Sequence, residues 1–257
     1  MTRVSNHAVL LAFALAAGIS TPTVAADKVQ NIVLVHGAWV NGSGWKPVYE
    51  LLVKDGYRVS VAEHPLTSFQ DDVTAVKRIV DMQDGPTILV GHSYGGALIT
   101  EVGNDPKIVG LVYIAAHALD QGETEVSNGK KYPSLTSQTP DIKKTADGFL
   151  YLDPAKYPAD FAADLPISQA TFEANAQGLT AASVFAAPAG VPAWKNKPSW
   201  YAVATADRII NPDLERMYAK RAGSHTIEVK GASHSVYQSH PREVADLIEE
   251  AARHAVP

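Results

Sequence analysis

The stretch TILVGHSYGGALIT, Thr87 to Thr100, passes from four apolar or β-branched residues through a glycine-rich turn into Ala, Leu and Ile. The pattern is that of a buried strand feeding directly into a helix. At the turn sits Ser93, with Gly91 and Gly95 two positions away on either side and Gly96 beyond. A serine held in a strained strand-to-helix turn needs tiny neighbours there, because a Cβ at either position would strike the adjoining strand or helix. Such a turn exposes the hydroxyl above the sheet edge with a helix N-terminus beneath it, where negative charge is favoured. The same residues also fit a tight turn with an incidental serine, so the rest of the chain decides.

Outward from this stretch, short apolar runs alternate with amphipathic segments. IVLVHG (Ile32 to Gly37), YRVSVA (Tyr57 to Ala62), TILVGH (Thr87 to His92), IVGLVYIA (Ile108 to Ala115), SWYAVA (Ser199 to Ala204) and TIEVKG (Thr226 to Gly231) each read as a strand. Several are nearly continuous in apolar residues, as expected of parallel strands covered on both faces. Val73, Val76, Ile79 and Val80 share one helix face, as do Val244, Leu247, Ile248 and Ala251, whose helix has Pro241 near its start. The expected fold is therefore α/β, a mostly parallel, doubly wound sheet flanked by helices. From His117 to Lys197 prolines are frequent and no strand stands out, so residues 117–197 are expected to form an inserted helical cap. Residues 27–116 and 198–257 then make the core.

The chain has 257 residues, 46% of them hydrophobic, which suffices for one substantial core. With a formal net charge of −5 and no basic run, neither nucleic acid nor an anionic membrane is expected as a partner. Residues 1–26 have the layout of a secretory signal: Arg3 in a polar lead, the apolar run AVLLAFALAAG, then small residues at Val24 and Ala26. That run is too short to remain as a membrane-spanning helix. Export to the periplasm or beyond is expected, with cleavage near Ala26 and no membrane attachment afterwards. There is no cysteine, which excludes a disulfide framework and a thiol nucleophile. No HExxH and no histidine pair at convincing ligand spacing occurs, so neither metal nor cofactor is expected.

A serine hydroxyl becomes a useful nucleophile only when a base removes its proton. Of nine histidines, His234 in KGASHSVYQSHP is the best placed. It follows the last expected strand by three residues, in a loop of small side chains that lets an imidazole swing inward. His7 falls in the signal, His254 at the chain end, His225 before the last strand, and His64 beside Pro65. His92 adjoins Ser93 but must point away from it. His36 reads as a buried shaper of its loop, His117 opens the cap, and His240 suits a helix cap or the surface. The imidazole needs a buried carboxylate to fix its tautomer. Asp207, leaving the sheet after SWYAVATA, provides one; its alternative is a surface pair with Arg208 or Arg216. Asp213 suits the first turn of a helix, and Asp120 is a weaker rival. The developing oxyanion needs two N–H donors. The amide of Tyr94, next after Ser93, is one; in LVHGAW, Gly37 permits a sharp turn that aims the amide of Ala38 as the other.

HGAW at His36 to Trp39, GHSYGG at Gly91 to Gly96, Asp207 in ATADR and His234 in GASHS, in that order, resemble the α/β-hydrolase superfamily over essentially the whole mature chain. The HGxW loop is most similar to the serine carboxylesterase-like branch that holds small esterases, plant methyl-ester hydrolases, hydroxynitrile lyases and pyrethroid-type esterases. The resemblance implies Ser93 as nucleophile, His234 as base, Asp207 as its orienter, and the Ala38 and Tyr94 amides as the oxyanion hole. It implies hydrolysis of small-molecule carboxylic esters through an acyl-enzyme. Dehalogenases and epoxide hydrolases of this fold carry Asp at the elbow, where this chain has Ser93. Hydroxynitrile lyases place a Thr beside the oxyanion loop and a Lys after the histidine; here those places hold Gly37 and Ser235. Perhydrolase (cofactor-free haloperoxidase-like), lactonase and amidase activities share the same triad and stay open. A non-catalytic binding protein would be expected to have lost a triad member, and none is lost. Trp39, Trp194 and Phe172, with Trp45, Tyr94 and Phe185, are the candidate walls of an apolar or aromatic substrate pocket.

Overall fold

The computed structural model describes residues 1–2 and 29–255, so the expected signal segment lies, but for its first two residues, outside the described residues. The chain runs through β1 (Asn31–Val35), α1 (Lys46–Lys54), β2 (Arg58–Ala62), α2 (Phe69–Asp81), β3 (Thr87–Ser93), α3 (Tyr94–Val102) and β4 (Ile108–Ala116). It continues with α4 (Glu125–Lys131), β5 (Ile142–Lys144), β6 (Phe149–Leu152), α5 (Tyr157–Asp160), α6 (Ile167–Ala176) and β7 (Thr180–Ala181). The last elements are β8 (Ser199–Ala204), α7 (Pro212–Ala222), β9 (His225–Val229), α8 (Val236–Ser239) and α9 (Pro241–His254).

The main sheet has the order β2-β1-β3-β4-β8-β9, and every pairing is parallel. Every residue of β1, β3, β4 and β8 is buried, which is why those runs carry almost no polar side chains. Ile32, Leu34, Ile88 and Val90 face a layer made with α1, α8 and α9, whereas Val33, Val35 and Leu89 face α2, α3 and α7. Each such side chain withdrawn from water contributes about 1.5–3 kcal/mol. Sequence also sets the helix ends. Ser68 accepts the Asp71 N–H to start α2, and Asn211 accepts the Asp213 N–H to start α7, which stops at left-handed Gly223. Both strands beside β1 are reached by crossovers, so the chain winds one way to β2 and the other way to β3. The C-terminal ends of β1 and β3 therefore flank a crevice, the usual place for a site in such sheets.

Two expectations need correction. The segment between β4 and β8 holds helices, but it also holds a three-stranded antiparallel sheet, β5-β6-β7. Its strands are only three, four and two residues long, too short to show a period, and their pairing depends on the Asp147-Gly148 turn and on distant Thr180. The last sheet strand also ends at Val229 rather than Gly231, since Gly231 takes the left-handed conformation (φ 77°) and turns the chain.

Candidate active site

Ser93 ends β3 and caps α3 with φ 54° and ψ −123°, a left-handed conformation that costs a residue with a Cβ about 1–3 kcal/mol. Close packing of backbone holds it there. A Cβ on Gly91 would lie 2.6 Å from the Gly95 carbonyl oxygen, and one on Gly95 would lie 2.6 Å from the carbonyl oxygens of Val35 and His36. The loop after β1 also closes directly onto the serine, since a Cβ on Gly37 would come within 2.7 Å of Ser93 Cβ. Tyr94 opens α3, so its amide is one of the helix's unpaired donors. No loop or cap carbonyl among the described residues takes the N–H of Ala38 or of Tyr94.

The structure brings His234 and Asp207 together. Nδ1 of His234 donates to Asp207 Oδ2 at 2.5 Å, and both side chains are fully buried. Asp207 Oδ1 accepts the N–H groups of Ile209 at 2.7 Å and Ile210 at 2.9 Å, which locks the carboxylate. Nε2 of His234 is buried without a hydrogen-bond partner, so no hydrogen bond joins it to Ser93; catalytic hydrogen bonds commonly form or tighten only when substrate is bound. The surface alternative for Asp207 is not what is seen, because Arg208 pairs with Asp160 and Arg216 with Asp213 and Glu228.

Two neighbours support this pair, Glu215, which the sequence did not single out, and His92. Glu215, on α7, is fully buried and accepts the Ala204 N–H on Oε2 at 3.0 Å, while its Oε1 has no hydrogen-bond partner. Burial and then the Asp207 charge push its carboxyl well above the carboxylate range. The available signal was its place among Leu214, Tyr218 and Ala219 on the buried face of α7. His92 points away from Ser93 as expected, and its Nε2–H donates to the His234 carbonyl at 2.9 Å, fastening the histidine loop to β3. Burial holds the His92 imidazole neutral, well below its ordinary range.

Ser93 lines a cavity of about 370 Å³ with Ala38, Trp39, Leu150, Phe185 and Leu214. Trp39 is fixed by its indole N–H on the Leu150 carbonyl (3.2 Å). The other expected walls lie elsewhere. Trp194 is buried and donates to the Leu119 carbonyl at 2.9 Å, a core position outside the cavity lining. Phe172 is 70% exposed on α6 and borders a separate cleft with Tyr157 and Gln169. Trp45 packs in the layer of α1 and α9, and the Tyr94 hydroxyl turns from the cavity to donate to buried Asp72 at 2.7 Å.

The remaining histidines and acids fall where local chemistry holds them. His36 is buried, with Nδ1 2.8 Å from the Gly37 carbonyl and its ring stacked on His64. His225 stacks on Trp200, His254 reaches the Glu250 carbonyl, and His240 begins α9 without a side-chain cap bond. Asp120 pairs with Lys195, away from His234, and Asp213 sits in the first turn of α7.

A sequence profile described as "Alpha/beta hydrolase family" matches residues 32–247. The chain is 36% identical over 110 residues to a carbendazim hydrolyzing esterase of Nocardioides, covering 37% of this chain and 45% of that protein. It is 33% identical over 103 residues to a pyrethroid hydrolase of Sphingobium wenxiniae, covering 34% of this chain and 36% of that protein. These matches thus span less than half the length of either relative. A crystal structure of a pyrethroid hydrolase from Sphingobium faniae superposes with a TM-score of 0.75 at 22% identity, over 88% of this chain and 98% of that one, and shares the fold.

Proposed function

The chain belongs to the alpha/beta hydrolase family, and we propose that it is a carboxylic-ester hydrolase that works through an acyl-enzyme on Ser93. One observation carries this reading: a serine in a strained left-handed turn lines a cavity, and a buried imidazole–carboxylate pair is fastened to the residue before it. The names of the relatives, an esterase and a hydrolase, support the same reaction class.

With its Nδ1–H held by Asp207, His234 presents the Nε2 lone pair that takes the Ser93 proton as Oγ attacks the ester carbonyl. The oxyanion of the tetrahedral intermediate accepts the Ala38 and Tyr94 N–H groups, each typically worth about 3 kcal/mol. His234 then protonates the departing alcohol. Water, deprotonated by the same nitrogen, attacks the acyl group, and collapse of the second intermediate releases the acid and restores Ser93. The size of the cavity and its Trp39, Leu150, Phe185 and Leu214 walls favour small esters with apolar or aromatic groups. Export after cleavage near Ala26 rests on the composition of residues 1–26.

The test is labelling with a fluorophosphonate, followed by turnover of p-nitrophenyl acetate, a longer acyl ester and a lactone, with peracetic acid formation alongside. Labelling of the wild type but not of Ser93→Ala, with esters turned over fastest, is expected. Equal labelling of both proteins refutes the assignment of Ser93, and brisk lactone or perhydrolase turnover with negligible ester cleavage refutes the substrate class.

A further inference from the structure

One carboxylic acid and one imidazole stand in the cavity wall, beside the polar side chains of Tyr132, Ser134, Thr136, Ser137 and Asn211, and the reaction above uses neither. Glu125, at the start of α4, is 8% exposed, and His117 follows β4. Nε2 of His117 lies 3.3 Å from Glu125 Oε2, while the other carboxyl oxygen, Oε1, is buried without a hydrogen-bond partner. A buried polar atom left unpaired is uncommon enough to need a reason.

The proton positions follow from the groups behind the pair. Asn128 Nδ2 donates to the Tyr218 hydroxyl at 3.0 Å, which leaves the hydroxyl proton free to go to His117 Nδ1 at 3.3 Å. His117 then keeps its own proton on Nε2, the nitrogen on the side of Glu125 Oε2. Burial, with the nearby His234, pushes the His117 imidazole down to about 3, in agreement with a neutral ring. Arg221, joined to the same network through Glu123, pairs with that residue at 2.8 Å and not with Glu125. No Lys or Arg among the described residues pairs with Glu125, and burial pushes its carboxyl well above the carboxylate range. The acid is neutral, and no hydrogen bond among the described residues engages either of its oxygens; Oε1 is sealed off, so Oε2 is the oxygen that can offer the proton to the cavity.

We propose that Glu125, beside His117 in the cavity wall, is a specificity-determining residue that donates a hydrogen bond to a second acceptor on the substrate. The preferred substrates are then uncharged esters that carry a further carbonyl, ether oxygen or heteroaromatic nitrogen besides the scissile group. The inference rests on the ester-hydrolase reading and narrows its substrate class. A site built to pair a polar group discriminates strongly against analogues that lack it, because the group is then left buried and alone.

The experiment compares p-nitrophenyl pentanoate with p-nitrophenyl 4-oxopentanoate, which differ by one carbonyl, each normalised to its hydroxide-catalysed rate. A matched ester bearing a trimethylammonium group is the third substrate. In the wild type the oxo ester is expected to have at least tenfold higher kcat/KM than the plain ester, chiefly through KM. That ratio should collapse in Glu125→Leu and largely survive in Glu125→Gln, whose amide still donates. A wild-type ratio near one overturns the inference without any variant, as does a ratio that Glu125→Leu leaves unmoved. Preference for the ammonium ester overturns it too, since Glu125 would then act as an anion. Fluorophosphonate labelling of Ser93 keeps the two readings apart. If labelling persists while the ratio fails, only the role of Glu125 falls; if wild-type labelling is absent, the hydrolase reading falls.

Discussion

Asp207→Asn probes the site where its hydrogen bonds are most constrained. Oδ1 accepts two backbone N–H groups, from Ile209 and Ile210, and Oδ2 accepts Nδ1–H of His234. Asparagine has a single oxygen, and the two backbone donors claim it, so its amide nitrogen faces the imidazole. Two N–H groups cannot meet, and His234 must move its proton to Nε2 and accept at Nδ1. No lone pair then remains for the Ser93 proton. The opposite amide rotamer brings no relief, since it leaves the two backbone donors unpaired at about 1–3 kcal/mol each. The tautomer change is expected to lower turnover by about 10⁴, or about 5.4 kcal/mol at 1.36 kcal/mol per tenfold. The assay is kcat/KM on p-nitrophenyl acetate, with circular dichroism and Tm to establish that the variant is folded. A folded Asp207→Asn within tenfold of wild type refutes the reasoning and sends the search for the acid elsewhere.

Ser93→Gly should abolish fluorophosphonate labelling yet stabilise the fold. Relief of about 1–3 kcal/mol of left-handed strain outweighs the 0.5–1 kcal/mol backbone entropy cost of glycine, so Tm is expected to rise by about 2–4 °C; a fall in Tm would mean that the turn stores no strain. Acid should destabilise the protein through its neutral buried histidines. The folded-state pKa of His117 is lowered to about 3 by burial and His234, so below about pH 6.5 the unfolded chain binds a proton that the fold refuses. Stability is then lost as pH falls, at up to about 1.4 kcal/mol per unit. Urea unfolding at pH 7 and pH 5.5 should show the wild type losing about 1 kcal/mol more than His117→Gln, and equal losses would count against a neutral His117.

What could be read from the chain follows from which contacts are local. The four central strands, β1, β3, β4 and β8, are mostly apolar and wholly buried, so IVLV or TILV announces itself without knowledge of its neighbours. Ser93, Asp207 and His234 were readable because each stands at or just beyond the end of a strand of the main sheet, where the fold gathers side chains at one sheet edge. The walls of the cavity offered no such rule. Trp194 and Phe172 are equally aromatic, yet one is packed in the core against Leu119 and the other is exposed on α6, a difference set by how the segment after β4 folds back. Glu125 was hidden for the opposite reason. A charged residue in ETEVSNGKK reads as helix surface, and only its burial beside His117 makes it chemically distinctive.

The segment between β4 and β8 also reaches into the geometry of the candidate base rather than merely covering it. Asp164 accepts both the N–H and the hydroxyl of Ser233, at 2.9 and 2.5 Å, and the Phe161 carbonyl accepts the Ser235 N–H at 3.1 Å. The Phe161 ring meets the His234 imidazole edge to face, with centroids 4.7 Å apart. On the other side, His92 holds the His234 carbonyl. The imidazole loop is therefore clamped between the strand that presents Ser93 and the turn after α5. Changes at Phe161 or Asp164, neither of which lines the cavity, are expected to displace the candidate base. Changes at α4 or β6 act differently: Glu125 and Leu150 line the cavity, and no hydrogen bond among the described residues joins either side chain to the histidine loop. The cavity can thus be retuned from one side while the proton-transfer geometry is kept from the other.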